Sequence, residues 1–293
     1  MLTCLKYRDH LVIKMPELPE VETITYDLMD AGLVGIRIKD AQVFWERTIA
    51  VPKVAEFVHS IAGLTIENIY RRGKYIVFCL TDKSFMLVHL RMSGRLIIVP
   101  SGESRGKHQH VIIRCQNGLE IRFHDPRKFG RFYWVKDLNE ILGRLGPEPL
   151  ARNFKWTKLK KILKSHKRMI KPLLLDQHMI AGLGNIYVDE ALWEACIHPA
   201  TPSNIFTDPQ IKSLLNAIKK VLRQGLRNRG TALGKGVGNF SPLGPKKGKN
   251  QHHLKVFRKH KTPCPRCQEM IIRLIVGQRS THICPLCQLI YRP

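Results

Sequence analysis

The chain has 293 residues, with 49 Lys and Arg against 23 Asp and Glu and a formal charge of +26. Such an excess points to a polyanion as partner, nucleic acid before an anionic membrane, because no apolar run is long enough to span a bilayer. The length suggests two domains, each able to bury a core. Four of the eight cysteines are scattered (Cys4, Cys79, Cys115, Cys196), and no secretory leader precedes them. That pattern suggests a reduced, intracellular protein rather than a disulfide scaffold.

Residues 1–14, MLTCLKYRDHLVIK, are charged throughout and lack the apolar centre of a signal peptide. They precede Met15-Pro16-Glu17-Leu18-Pro19-Glu20-Val21-Glu22. A chain that started at Met15 and lost it would present Pro16 as a free secondary amine, able to attack an electrophilic sugar carbon and form an iminium. An α-amino group titrates near pH 8, so roughly a tenth is neutral at pH 7, far more than of a lysine. Translated from Met1, Pro16 would be an inert amide; a start at Met15 is expected. Glu17 and Glu20 are candidate proton carriers. Val21, Ile24 and Leu28 recur at helical spacing behind Pro19. Alone, the stretch also reads as an ordinary acidic helix start.

Residues 36–135 read as β-rich, a sandwich or barrel. Ile66 to Tyr70 and Tyr75 to Leu80 flank the turn Arg71-Arg72-Gly73-Lys74, and His110 to Cys115 and Leu119 to Phe123 enclose Gln116-Asn117-Gly118. Two tips combine apolar and basic side chains: His89-Leu90-Arg91-Met92-Ser93-Gly94 and Asp125-Pro126-Arg127-Lys128-Phe129-Gly130. Met, Phe and Arg together suit a wedge into a base stack, although each segment alone also fits core packing beside solvated charge.

Leu145-Gly146-Pro147-Glu148-Pro149-Leu150 reads as a break between domains. Beyond it, helices are expected over Trp156 to Ser165, Leu173 to Ile180, Ile186 to Cys196 and Pro209 to Leu226. Gly182-Leu183-Gly184-Asn185 makes Asn185 a candidate N-cap, with exposed amides that can hold a phosphate or merely turn a helical hairpin. Lys171 is a second candidate phosphate contact. Residues 230–250, rich in Gly, Lys and Pro, read as a lid or a plain link. The knuckles Cys264-x₂-Cys267 and Cys284-x₂-Cys287 are a strong zinc signal. Between them a two-stranded ribbon with Gly277-Gln278-Arg279-Ser280 at its tip would aim Arg279 at a phosphate.

MPELPEVE, RRGKY, HLRMSG, DPRKFG, LGPEPL, LLDQHMIAGLGNIYVDEALWEACIHP and QRSTHIC stand in this order. From Met15 onward the sequence closely resembles the formamidopyrimidine-DNA glycosylase family. The resemblance implies an α+β multidomain fold: an N-terminal antiparallel β-sandwich (15–148), a helix–two-turn–helix domain with a lesion-capping loop (149–250) and a four-cysteine zinc ribbon (251–293), residues 1–14 being absent from the mature protein. It implies a bifunctional glycosylase and lyase that flips and excises oxidised purines from double-stranded DNA and nicks abasic sites. Pro16 becomes the nucleophile, Glu17 the acid that opens the sugar ring, Glu20 a supporting acid and Lys74 a lysine beside the lesion. Met92, Arg127 and Phe129 fill the hole left by the flipped base. His108, Lys171, Asn185 and Arg279 hold DNA, and one structural Zn²⁺ sits on Cys264, Cys267, Cys284 and Cys287. A monomer in a bacterial cytoplasm, near the nucleoid and away from membranes, is expected. Two alternatives remain at this level: an endonuclease VIII-like enzyme for oxidised pyrimidines, and a non-catalytic zinc-ribbon protein that binds damaged DNA. The start and the QRSTHIC ribbon look more like the purine branch.

Overall fold

The computed structural model describes residues 15–232 and 248–290. The extension 1–14 and residues 233–247 of the expected capping loop lie outside the described residues. Helix α1 (Leu18–Asp30) opens the fold, with Pro19 in its first turn and the Glu17 N–H donating to Glu20 Oε2 at 3.0 Å. Its apolar residues serve two cores. Leu18 packs into the helical unit, whereas Val21, Ile24 and Leu28 pack into the sandwich.

Nine strands and a helix follow: β1 (Ile38–Val43), β2 (Ile49–Val51), α2 (Val54–Ile61), β3 (Ile66–Arg72), β4 (Tyr75–Leu80), β5 (Phe85–His89), β6 (Arg95–Pro100), β7 (Gln109–Cys115), β8 (Leu119–His124) and β9 (Arg131–Val135). They form a four-stranded sheet, β1-β7-β8-β6, and a five-stranded sheet, β2-β9-β5-β4-β3. The sandwich is antiparallel as expected, with the short β2 alone running parallel to its neighbour β9. Ile76, Phe78 and Leu80 of β4 face the inter-sheet core, while Val77 and Leu87 face a second cluster closed by Leu142 of α3 (Asn139–Leu142). Period-two alternation thus buries both faces, and each such side chain is worth roughly 1.5–3 kcal/mol. The strand β3 runs through Arg72, so the turn to β4 is Gly73-Lys74 alone, tighter than the sequence suggested.

The helical unit holds α4 (Trp156–Lys164), α5 (Ile170–Leu175), α6 (Asn185–Glu194) and α7 (Asp208–Arg227). The helix expected over Leu173 to Ile180 lies earlier. Asp176 accepts the His178 N–H at 3.1 Å, and this Asx turn diverts the chain. Along α7, Ile211, Leu214, Leu215, Ile218 and Leu222 form one buried stripe. Helix α6 is instead buried all round, so its acids need partners: Glu190 accepts the N–H groups of Lys255 (2.8 Å), Val256 (2.9 Å) and Phe257 (2.8 Å). These bonds tie the C-terminal ribbon, β10 (Ile272–Val276) and β11 (Arg279–Ile283), to the helical core. Its turn is Gly277-Gln278, both at positive φ, as a two-residue hairpin of this twist requires. No helix among the described residues is long and apolar enough to cross a membrane.

Candidate functional site

A cleft of about 400 Å³ opens where the sandwich, α5–α6 and the ribbon tip meet, lined by Met15, Glu17, Lys74, Met92, Asn185 and Arg279 among others. Pro16 is buried at its edge, at the start of α1. The Glu17 carboxylate reaches across to the helical unit, where it accepts the N–H of Ile186 at 2.8 Å and of Tyr187 at 3.3 Å. The amides at the start of α6, expected to hold a phosphate, therefore hold Glu17. Gly184, not Asn185, is the N-cap residue of α6. A Cβ there would lie 2.3 Å from Glu17 Cδ, and one on Gly182 (φ +86°) 2.9 Å from Leu18 Cβ. The Gly-x-Gly turn exists to let α1 approach.

Glu20 accepts hydrogen bonds from the Glu17 N–H, the Tyr187 hydroxyl (2.7 Å) and the Thr231 N–H (2.7 Å). Burial, then the neighbouring Glu17 charge, raises its pKa to about 7 despite these donors. Lys74 is buried, and that burial lowers its pKa against the pull of Glu17 and Glu20. Among the described residues its ammonium donates no hydrogen bond. Its turn is fixed from outside: Glu148 accepts from the Gly73 N–H (2.7 Å), from Arg71 (2.8 Å) and from Arg72 (3.0 Å). The expected inter-domain break is thus a clamp on the Lys74 turn. His89, which the sequence reading did not single out, also lines the cleft. Burial first, then Arg91 and Lys74, press its pKa down to about 3, so it stays neutral.

Two tips meet through Asp125, fully buried and likewise unremarked in the sequence. It accepts from Ser93 Oγ, beside Met92, and from the N–H groups of Arg127 (3.2 Å) and Gly130 (2.7 Å). Arg127 lies 4.8 Å over the exposed Phe129 ring. Met, Arg and Phe are therefore held as one protrusion. His108 is half-buried behind it, its carbonyl accepting the Asp125 N–H at 2.9 Å.

Arg279 is exposed and lines the cleft beside the hairpin turn. Lys171 does not extend toward solvent as the phosphate expectation required. It is fully buried, and its Nζ donates to Asp189 Oδ1 (2.6 Å), Ser280 O (3.0 Å) and Thr281 Oγ1 (2.8 Å), using all three protons. Asn185 Nδ2 donates to the same Ser280 carbonyl at 2.9 Å. Both side chains anchor the hairpin that carries Arg279. The tip packs so closely on α5 that a Cβ on Gly277 would sit 2.4 Å from Pro172 Cγ.

The sulfurs of Cys264, Cys267, Cys284 and Cys287 all lie within 4.8 Å of one another. Tetrahedral Zn–S bonds of about 2.3 Å would set them about 3.8 Å apart, and the 3.4–4.0 Å separations seen for three of the sulfur pairs fit that ion. The Trp193 indole N–H points at Cys264 Sγ (3.4 Å) and the Cys287 N–H at Cys284 Sγ (3.4 Å), as suits thiolates.

Three family models match in order: the formamidopyrimidine-DNA glycosylase N-terminal domain over 15–132, its H2TH domain over 145–235, and a zinc finger found in FPG and IleRS over 262–290. A formamidopyrimidine-DNA glycosylase of Protochlamydia amoebophila is 49% identical over 274 residues, covering 94% of this chain and 99% of the relative. One of Herpetosiphon aurantiacus is 42% identical, covering 94% and 100%. A Lactococcus lactis FPG mutant crystallised with Fapy-dG-containing DNA superposes with a TM-score of 0.86 at 33% identity, covering 94% of this chain and all of that one. The Lactococcus lactis Fpg in complex with abasic-site DNA gives 0.85 at 32%, covering 93% and 99%.

Proposed function

The chain belongs to the formamidopyrimidine-DNA glycosylase family, and on that premise we propose that the Pro16 nitrogen is the nucleophile of its cleft. The protein is a base-excision-repair glycosylase for oxidised purines with abasic-site lyase activity, it acts on damaged or abasic duplex DNA, and it carries one structural zinc. The pyrimidine-directed alternative is not favoured, since the curated relatives act under the formamidopyrimidine name.

The observation that carries the site assignment is the pair of buried acids, Glu17 and Glu20, at the first turn of α1 beside Lys74. In our reading the active chain begins at Pro16. Its free amine attacks C1′, and the base leaves with the glycosidic electron pair. The sugar ring opens as O4′ takes a proton from Glu17, leaving an iminium. That cation acidifies C2′–H, and removal of this proton expels the 3′ phosphate. Glu20, poised near neutrality, buffers Glu17; Lys74, His89 and Arg279 face the lesion's phosphates. Met92, Arg127 and Phe129 fill the gap left by the extruded nucleotide, with His108 behind them. Lys171 and Asn185 act through the hairpin they hold. The three units are taken as 15–148, 149–250 and 251–293, and the site of action as the bacterial cytoplasm at the nucleoid.

Borohydride reduction of the iminium tests this reading. Protein beginning at Pro16 should be trapped on 8-oxoguanine duplex, whereas protein retaining residues 1–15 should bind without trapping. Equal trapping of both forms, mapped by mass spectrometry to Lys74, would sink the proline assignment.

A further inference from the structure

The protrusion that carries Arg127 and Phe129 continues into a surface that the site does not use. Where β1 ends, Phe44 and Trp45 emerge side by side, the former 44% exposed. The Phe44 N–H is bound to the His110 carbonyl at 2.8 Å, and the His110 ring contacts the Asp125 carbonyl at 2.9 Å, so the segment is fixed to the wedge loop. Each ring carries a cation. The Arg105 guanidinium lies 4.2 Å over Phe44, and Lys128, between Arg127 and Phe129 in the loop, lies 3.8 Å over Trp45.

The basic side of this surface is built, not incidental. Arg122 is almost wholly buried, paired with Glu120 at 2.7 Å, and donates to the Ser104 carbonyl (3.0 Å), the Glu103 carbonyl (2.6 Å) and Gln109 Oε1 (3.1 Å). These bonds order the exposed loop over residues 101–107, and Arg105 adds its own bond to the Gln109 carbonyl at 3.2 Å. A buried ion pair thereby holds a cation above an exposed aromatic ring. A protein partner would need acidic complementarity to this surface. The DNA already engaged by the adjoining wedge supplies both phosphates for the cations and sugar faces for the rings.

We propose that Phe44, Trp45 and Arg105 form a second DNA contact, which continues the wedge loop along the sugar–phosphate backbone of the duplex on one side of the lesion. The proposal rests on the DNA-repair reading above. Phe44 and Arg105 test it best, because neither touches the wedge loop as Trp45 does through Lys128.

Full-length wild type, F44S, R105Q and the double variant would be titrated against a long duplex bearing a tetrahydrofuran abasic analogue. The same duplex would also be cut short on one side of the lesion or on the other. The double variant should bind the long duplex about tenfold more weakly, and R105Q alone should reduce the salt slope by about one unit. The deficit should vanish on one truncated duplex and persist on the other, with single-turnover excision at saturating enzyme unchanged. Binding of the long duplex within twofold of wild type by melting-competent variants would overturn the proposal, as would a deficit equal on both truncations. R105Q removes only an exposed head group, so its slope decides even where F44S fails to fold. Failure of the wild type itself to prefer the lesion duplex would instead count against the repair reading.

Discussion

Two lysines, both removed from solvent, end up with opposite employment. Lys171 spends every proton on fixed acceptors, Asp189 above all, and joins α5, α6 and the ribbon tip. Lys74 sits in a two-residue turn with acids nearby and no fixed acceptor among the described residues. A buried ammonium with complete partners is architecture. One that is desolvated but unsatisfied stores readiness to bind an arriving anion. The distinction does not follow from burial, since both are buried, but from where the protons go.

The largest expected effect lies on the architectural side. Cys267→Ser removes a zinc ligand, and zinc supplies roughly 10–16 kcal/mol of folding energy in small modules. The ribbon should unfold, Arg279 should lose its support and DNA affinity should collapse, while the sandwich still melts cooperatively. Full zinc retention by mass spectrometry in this variant would show that another ligand replaces the thiol.

Lys171→Ala leaves Asp189 buried without its main partner and should cost about 3–5 kcal/mol in denaturant unfolding. Lys74→Met should change stability by less than about 1 kcal/mol, because a desolvated cation gives way to an apolar side chain of similar length. Yet its excision rate should fall about a hundredfold. Equal stability losses in both variants would erase the distinction between the two lysines.

A smaller effect sharpens the acid side. The Glu20 pKa is raised to about 7 from an ordinary 4.5. The folded state therefore holds this proton through a window in which the unfolded state has lost it. This group's contribution to stability is greatest below about pH 4.5 and declines as pH rises to about 7, by on the order of 3 kcal/mol in all. Glu20→Gln should flatten that part of the stability–pH curve; an unchanged curve would place the titration elsewhere.

Signals confined to a few residues were legible in the sequence: the alternating strands, the paired knuckles and the Met-Pro-Glu start. Partners remote along the chain were not. Glu17 and Ile186 are separated by 169 positions, so nothing local announces that the acid caps α6. Asp125 and Glu148 read as turn and linker residues because donors they serve lie far along the chain, Ser93 for the one and Arg71, Arg72 and the Gly73 N–H for the other. Lys171 read as a phosphate contact, yet its ammonium turns inward to Asp189, since a match of residue type carries no information about which way the side chain points.

The capping of α6 by Glu17 has a consequence for safety. A side chain that lines the cleft is held in place by the first amides of a helix in the other unit. If the two units part, the acid loses its alignment and the helix loses its cap in the same event. With Glu17 in the role proposed for it, the cleft is an interlock, armed only when shut, which suits a protein whose chemistry severs the strand it is meant to mend.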